Sequence, residues 1–162
     1  MINESVQKAL NEQLNKELSS AYLYLAMSAD FEQKNLFGFA KWMKVQSGEE
    51  LKHADKIYGF ILERGGKVDL MTIEKPQQSW ESAMKAFQDA YEHEKFITNS
   101  IYSVLELSQS QKDYATVEFL QWYVKEQVEE EAQTEQIVKK LEMIGDTPAG
   151  LFMLDQELGH RE

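Results

Sequence analysis

Glu17, Glu50 and His53 in the first half of the chain are answered by Glu94, Gln127 and Glu130 in the second. Each pair is 77 positions apart, and Glu49 and Glu126 keep the same interval. Glu50 and His53 are spaced i, i+3, as are Gln127 and Glu130, so each couple shares one face of a helix. All six fall on apolar stripes of helical period, where the interior of a bundle should be dry. A buried carboxylate on helix after helix is too costly to stand unless positive charge sits between them. Glu17, Glu50, Glu94 and Glu130 carry four negative charges while His53 and Gln127 are neutral, so two divalent cations balance the set. Oxygen-rich ligation with one imidazole suits Fe(II) or Mn(II), and Zn(II) and Co(II) would also bind.

Glu49, Glu126 and Glu129 flank these residues and turn slightly off the core stripe. With Glu130 they would form an accessory cation site; the alternative is that Glu126 and Glu129 to Glu131 are a solvated helix face, the usual meaning of a charge run. Tyr24 lies seven residues after Glu17 and projects toward the same centre, either as a donor of an electron or hydrogen bond or as an amphipathic core residue. Trp122 and Tyr123 read as packing, and His93 and His160 as surface residues.

Four long helical patterns must hold these positions. The first runs from about Ser5 to Lys34, with Leu10, Leu14, Ala21 and Leu25 on its apolar stripe. The second begins near Phe37 and ends before Gly65-Gly66, the third spans about Ser79 to Ser108, and the fourth about Asp113 to Ile144, stopped by Gly145. Thr147-Pro148 then reads as the cap and first residue of a short fifth helix ending near Leu158. Short links join helices one to two and three to four, which makes each couple an antiparallel hairpin. The stretch from Gly65 to Gln78 would reach ~45 Å when extended, the length of a bundle built from helices rising ~1.5 Å per residue. The chain is therefore expected to be all-α, a single domain over 1–162: a four-helix bundle at about 5–144, a long crossover between helices two and three, and the short fifth helix at about 148–158. The two hairpins are related by a pseudo-twofold axis, with all six marked residues near mid-bundle.

Composition excludes several classes. The net charge is −11 with a pI near 4.8, and there is no basic stripe, which argues against a nucleic-acid partner. The absence of cysteine removes disulfides, iron–sulfur clusters, thiolate zinc sites and a cysteine nucleophile. No apolar run approaches the ~20 residues of a bilayer span, and no basic-then-apolar leader opens the chain, so a cytoplasmic protein without membrane contact is expected.

The segments NEQLNKELSSAYLYLAMS, GEELKHADKIY and ATVEFLQWYVKEQVEEE resemble those of bacterial non-haem ferritin, a ferritin-like di-iron carboxylate family, and the resemblance covers essentially the whole chain. It implies that Glu17, Glu50 and His53 hold one iron. Glu50, Glu94 and Glu130 would hold a second, with Glu50 bridging and Gln127 beside them. A third site would comprise Glu49, Glu126, Glu129 and Glu130, with Tyr24 as the nearby tyrosine. Gln127-x-x-Glu130 replaces the second Glu-x-x-His of bacterioferritins, and Leu51 stands where they carry a haem-binding methionine, so no haem is expected. The implied function is ferroxidase activity on Fe(II) with dioxygen and storage of Fe(III) oxo-hydroxide in a 24-subunit homo-oligomeric shell. Two rivals remain: a di-iron oxidase acting on an organic substrate or peroxide, and a non-catalytic bundle with fortuitous carboxylates.

Overall fold

The computed structural model describes residues 1–145 and 147–162. Helices α1 (Glu4–Gln33), α2 (Phe37–Glu63), α3 (Ala83–Ser110) and α4 (Tyr114–Ile144) form a bundle closed at one end by α5 (Pro148–Leu158). α1 and α2 are an antiparallel couple, α3 and α4 a second, and α1 packs on α3 between them. The α1–α2 turn lies at one end, where Phe31 meets Phe39 and Phe87. The α3–α4 turn lies at the other, where Arg64 Nη1 donates to Asp113 Oδ1 at 3.0 Å. Both turns use one left-handed residue, Asn35 (φ 59°) and Lys112 (φ 57°), so the 77-residue repeat extends to the backbone. Asn adopts that conformation readily; Lys does so with some strain.

Local chemistry explains the boundaries. Asn3, Ser82 and Asp113 cap α1, α3 and α4 by accepting from the backbone N–H of Ser5, Lys85 and Thr116. α2 starts after Leu36, which has no capping side chain. Its free N–H groups at Gly38 and Phe39 instead donate to Asp155 Oδ1 of α5, at 2.8 and 3.0 Å. Gly38 permits this approach, since a Cβ there would stand 1.6 Å from the Asp155 carbonyl oxygen.

The crossover is longer than the sequence pattern suggests, because α3 begins at Ala83 rather than near Ser79. Trp80 explains the shift. Its backbone N–H donates to Asp30 Oδ2 at 3.2 Å, its indole N–H to Asp89 Oδ2 at 3.1 Å, and its ring is buried. The segment is thus pinned to α1 before Ser82 caps the helix. Leu25 also departs from expectation: it is 38% exposed, because Tyr24, one residue earlier and ~100° around the helix, takes the inward position.

The core is divided. One apolar cluster gathers Met27, Phe31, Phe39, Met43, Phe87 and Leu141 at the α5 end, and a second gathers Leu10, Leu14, Ile57, Ile61, Ile101 and Leu120 at the other. Between them lies a layer of buried polar side chains.

Candidate metal centre

That layer contains the six marked residues. Glu17 and Glu94 come singly from α1 and α3; Glu50 and His53 come from α2, Gln127 and Glu130 from α4. The four carboxylates are 1%, 2%, 1% and 3% exposed for Glu17, Glu50, Glu94 and Glu130. Two groups converge on Glu50. Glu17, Glu50 and His53 offer ligand atoms within 4.8 Å of one another, and so do Glu50, Glu94 and Glu130. A third group of the same span joins His53, Glu126 and Glu130. His53 Nδ1 lies 3.1 Å from Glu50 Oε2 and 4.0 Å from Glu17 Oε2. The opposite ring nitrogen, Nε2, is 3.7 Å from Glu126 Oε1.

A surrounding set of donors orients these groups. Gln13 Nε2 donates to Glu17 Oε1 at 2.8 Å, and Ser100 Oγ donates to Gln13 Oε1 at 2.6 Å. Gln46 Nε2 donates to Glu50 Oε1 at 3.0 Å and to Glu130 Oε2 at 2.7 Å. Gln127 Nε2 donates to Glu94 Oε2 at 3.1 Å, and the Tyr24 hydroxyl donates to Glu94 Oε1. The Tyr123 hydroxyl donates to the His53 carbonyl at 2.6 Å, and Trp122 meets the imidazole edge-on at 5.4 Å. Both aromatics therefore wedge His53 from α4.

Electrostatics marks the layer as incomplete by itself. Burial, followed by the charge of Glu50, pushes the Glu17 carboxyl up to about 8. Burial also lifts Glu94 to about 7, and burial with the charge of Glu94 lifts Glu130 to about 7. Glu50 is driven well above the usual carboxylate range by burial and by Glu94 and Glu130. Glu17 Oε2 is buried with no hydrogen-bond partner among the described residues. An orphaned carboxylate oxygen facing an imidazole, in a nest of repelling carboxyls, is what a cation would relieve. The donor set, four carboxylates with one imidazole, fits hard or borderline divalent metals.

The flanking residues are placed unequally. Glu126 is half-buried and faces His53, whereas Glu129 is exposed and belongs to none of the three groups. Glu49 Oε2 accepts from Arg161 Nη2 at 2.6 Å. His93 is not a simple surface residue: its Nε2 is 2.7 Å from Ser20 Oγ, its ring stands edge-on to Tyr24 at 6.1 Å, and burial lowers it to about 4. His160 is exposed, as expected. Sequence reading assigned no role to Gln13, Gln46 or Arg161. A signal for the two amides was present, since each stands four residues before a buried glutamate of the layer, one helical turn away. The 77-residue repeat breaks at them, with Ala90 and Tyr123 at the matching positions.

Known proteins share the sequence pattern and fold of this chain. The family model of the ferritin-like domain matches residues 7–144. The chain is 40% identical over 161 residues to a bacterial non-heme ferritin of Bacteroides fragilis (strain 638R), covering 99% of this chain and all of that protein. It is 42% identical over 156 residues to a bacterial non-heme ferritin of Campylobacter jejuni, covering 96% of this chain and 93% of the relative. Among solved structures, an open pore ferritin from the hyperthermophilic archaeon Archaeoglobus fulgidus superposes with a TM-score of 0.99 at 48% identity over the full length of both chains.

Proposed function

The chain belongs to the ferritin family, and on that basis we propose that it oxidises Fe(II) with dioxygen at the mid-bundle centre and stores the product as Fe(III) oxo-hydroxide. The observation that carries this reading is the polar layer itself: four buried carboxylates and one imidazole converge between two apolar clusters, with Glu17 Oε2 left unpartnered among the described residues. Iron is the substrate. One Fe(II) is held by Glu17, Glu50 and His53, and a second by Glu50, Glu94 and Glu130, with Glu50 shared. Each Fe(II) gives up one electron, the pair reducing one dioxygen with two protons to hydrogen peroxide, and hydrolysis of Fe(III) releases protons.

The protein's own residues place and deprotonate. The four carboxylates neutralise two dications without surplus charge, and the protons they hold when empty leave as iron binds. Gln127 and Tyr24 aim Glu94, Gln13 aims Glu17, and Gln46 aims both Glu50 and Glu130. Tyr123 and Trp122 fix the His53 ring so that Nδ1 faces the centre. Glu49, Glu126 and Glu129, with Glu130, form an accessory cation position leading outward. In this reading Glu126 is closest to the centre, Glu129 contributes from the surface, and Glu49 offers the oxygen that Arg161 does not hold.

A lone bundle has no room for mineral, so storage rests on assembly into a hollow 24-subunit shell in the cytoplasm. Among the described residues no helix is long and apolar enough to cross a membrane. The test is anaerobic loading with two Fe(II) per chain followed by air. Glu50→Ala and His53→Ala should slow the ferric absorbance rise by about tenfold or more. Wild-type rates in both variants would refute the assignment, and a sedimentation mass of one or two chains would remove storage.

A further inference from the structure

Arg161 lies three residues beyond the end of α5, yet its guanidinium reaches the polar layer. Nη2 donates to Gln46 Oε1 at 2.8 Å and to Glu49 Oε2 at 2.6 Å, and Nη1 donates to the Trp42 carbonyl at 3.3 Å. Its flat face covers the Trp42 ring at 4.2 Å. The planar guanidinium is thus held from several sides, as Arg allows and Lys does not.

The consequence falls on Gln46. The two ends of an amide have nearly the same shape, so only the surroundings select which one faces the pocket. Arg161 draws Oε1 outward, which turns both N–H bonds of Nε2 inward, onto Glu50 Oε1 and Glu130 Oε2. A reversed amide would aim its oxygen at two carboxylates. Gln46 thereby ties together two of the three ligands of the second cation position, whereas in the Glu17–Glu50–His53 position it reaches the shared Glu50 alone and Gln13 orients Glu17.

We propose that Arg161 is a positioning residue for the dinuclear centre: acting through Gln46, it sets the spacing of Glu50 and Glu130 and so the affinity of the Glu50–Glu94–Glu130 position. The inference rests on the dinuclear reading above. α5 keeps its separate anchor through Asp155, Gly38 and Phe39, so loss of Arg161 leaves the helix docked.

The test uses the full-length assembled protein and Co(II), which binds without redox turnover and reports each step by its visible d–d absorbance. Wild type should fill the dinuclear centre with two Co(II) per chain in two steps, ahead of a weaker accessory equivalent, and Glu130→Ala identifies the second position by abolishing its step. Arg161→Gln should weaken that step by about tenfold and leave the other within about twofold, the usual range for loss of an outer orienting group. In a Gln46→Met background, Arg161→Gln should produce no further change. Equal weakening of both steps, an unchanged isotherm, or additive losses in the double variant would overturn the inference while leaving the dinuclear reading intact. Fewer than two Co(II) bound to wild type would overturn both.

Discussion

The Gln13 amide donates to Glu17 Oε1 at 2.8 Å and leaves Oε2 of the same buried carboxylate without a partner among the described residues. A carboxylate held this way is oriented but not neutralised. Its raised proton affinity, about 8, follows from burial and from the neighbouring Glu50.

Replacing Glu17 therefore separates stability from binding. Glu17→Gln keeps the volume and removes a charge that the empty site repels. At pH 8 the metal-free variant should melt no lower than wild type, by calorimetry, because breaking up buried like charge relieves repulsion. Its Co(II) affinity should fall by about tenfold or more. A large drop in the melting temperature of the metal-free variant would mean that Glu17 is a structural residue.

The metal-free protein should lose stability as pH rises. Glu17 holds its proton to about 8, and Glu94 and Glu130 to about 7, against about 4.5 in an unfolded chain. Between these values the folded state binds more protons, so the unfolding free energy declines as pH climbs. The contribution is complete below about 4.5, fades through 7 to 8, and is flat above. Thermal melts of chelated protein from pH 5 to 9 check this. Adding a divalent cation should reverse the trend, since binding releases those protons.

The Tyr24 hydroxyl donates to Glu94, so its expected role is to adjust that carboxylate rather than to hold metal. Tyr24→Phe removes one hydroxyl donor and leaves Glu94 with Gln127. Stopped-flow oxidation of Fe(II) should slow by severalfold without loss of two-cation stoichiometry. Abolished binding would show that the hydroxyl is a ligand in its own right.

Gly38 and Asp155 join α2 to α5. Asp155→Ala removes the acceptor for two N–H groups and should lower stability by about 1–2 kcal/mol, as loss of a helix cap does. Gly38→Ala meets the Asp155 carbonyl and should be the more damaging, at about 3 kcal/mol or more. Denaturant melts of the two variants, compared with Gly48→Ala where a Cβ meets nothing within 4 Å, give the ranking.

Glu126 and Glu129 should differ in their effect on a third cation. Glu126 reaches the His53 ring, whereas Glu129 is exposed. Glu126→Gln should remove the weakest Co(II) equivalent and perturb the d–d spectrum of the His53 position. Glu129→Gln should weaken the third equivalent alone. Identical spectra for both variants would argue against this ordering.

The inward placement of the six residues of the buried polar layer, on four helices at a common height, was legible in the chain. Helical period assigns Glu17, Glu50, His53, Glu94, Gln127 and Glu130 to inward faces, and a rise of ~1.5 Å per residue places them at one level. Only the folded molecule decided how each was supported. Arg161 meets Glu49 across 112 residues, Asp155 caps α2 across 117, and Trp80 delays α3 by bonding to Asp30 across 50. Glu126 turns toward His53 while Glu129, one helical turn later, does not. Periodicity describes how one helix divides into faces. It carries no information on how far neighbouring helices rotate against one another, because packing between distant segments sets that rotation.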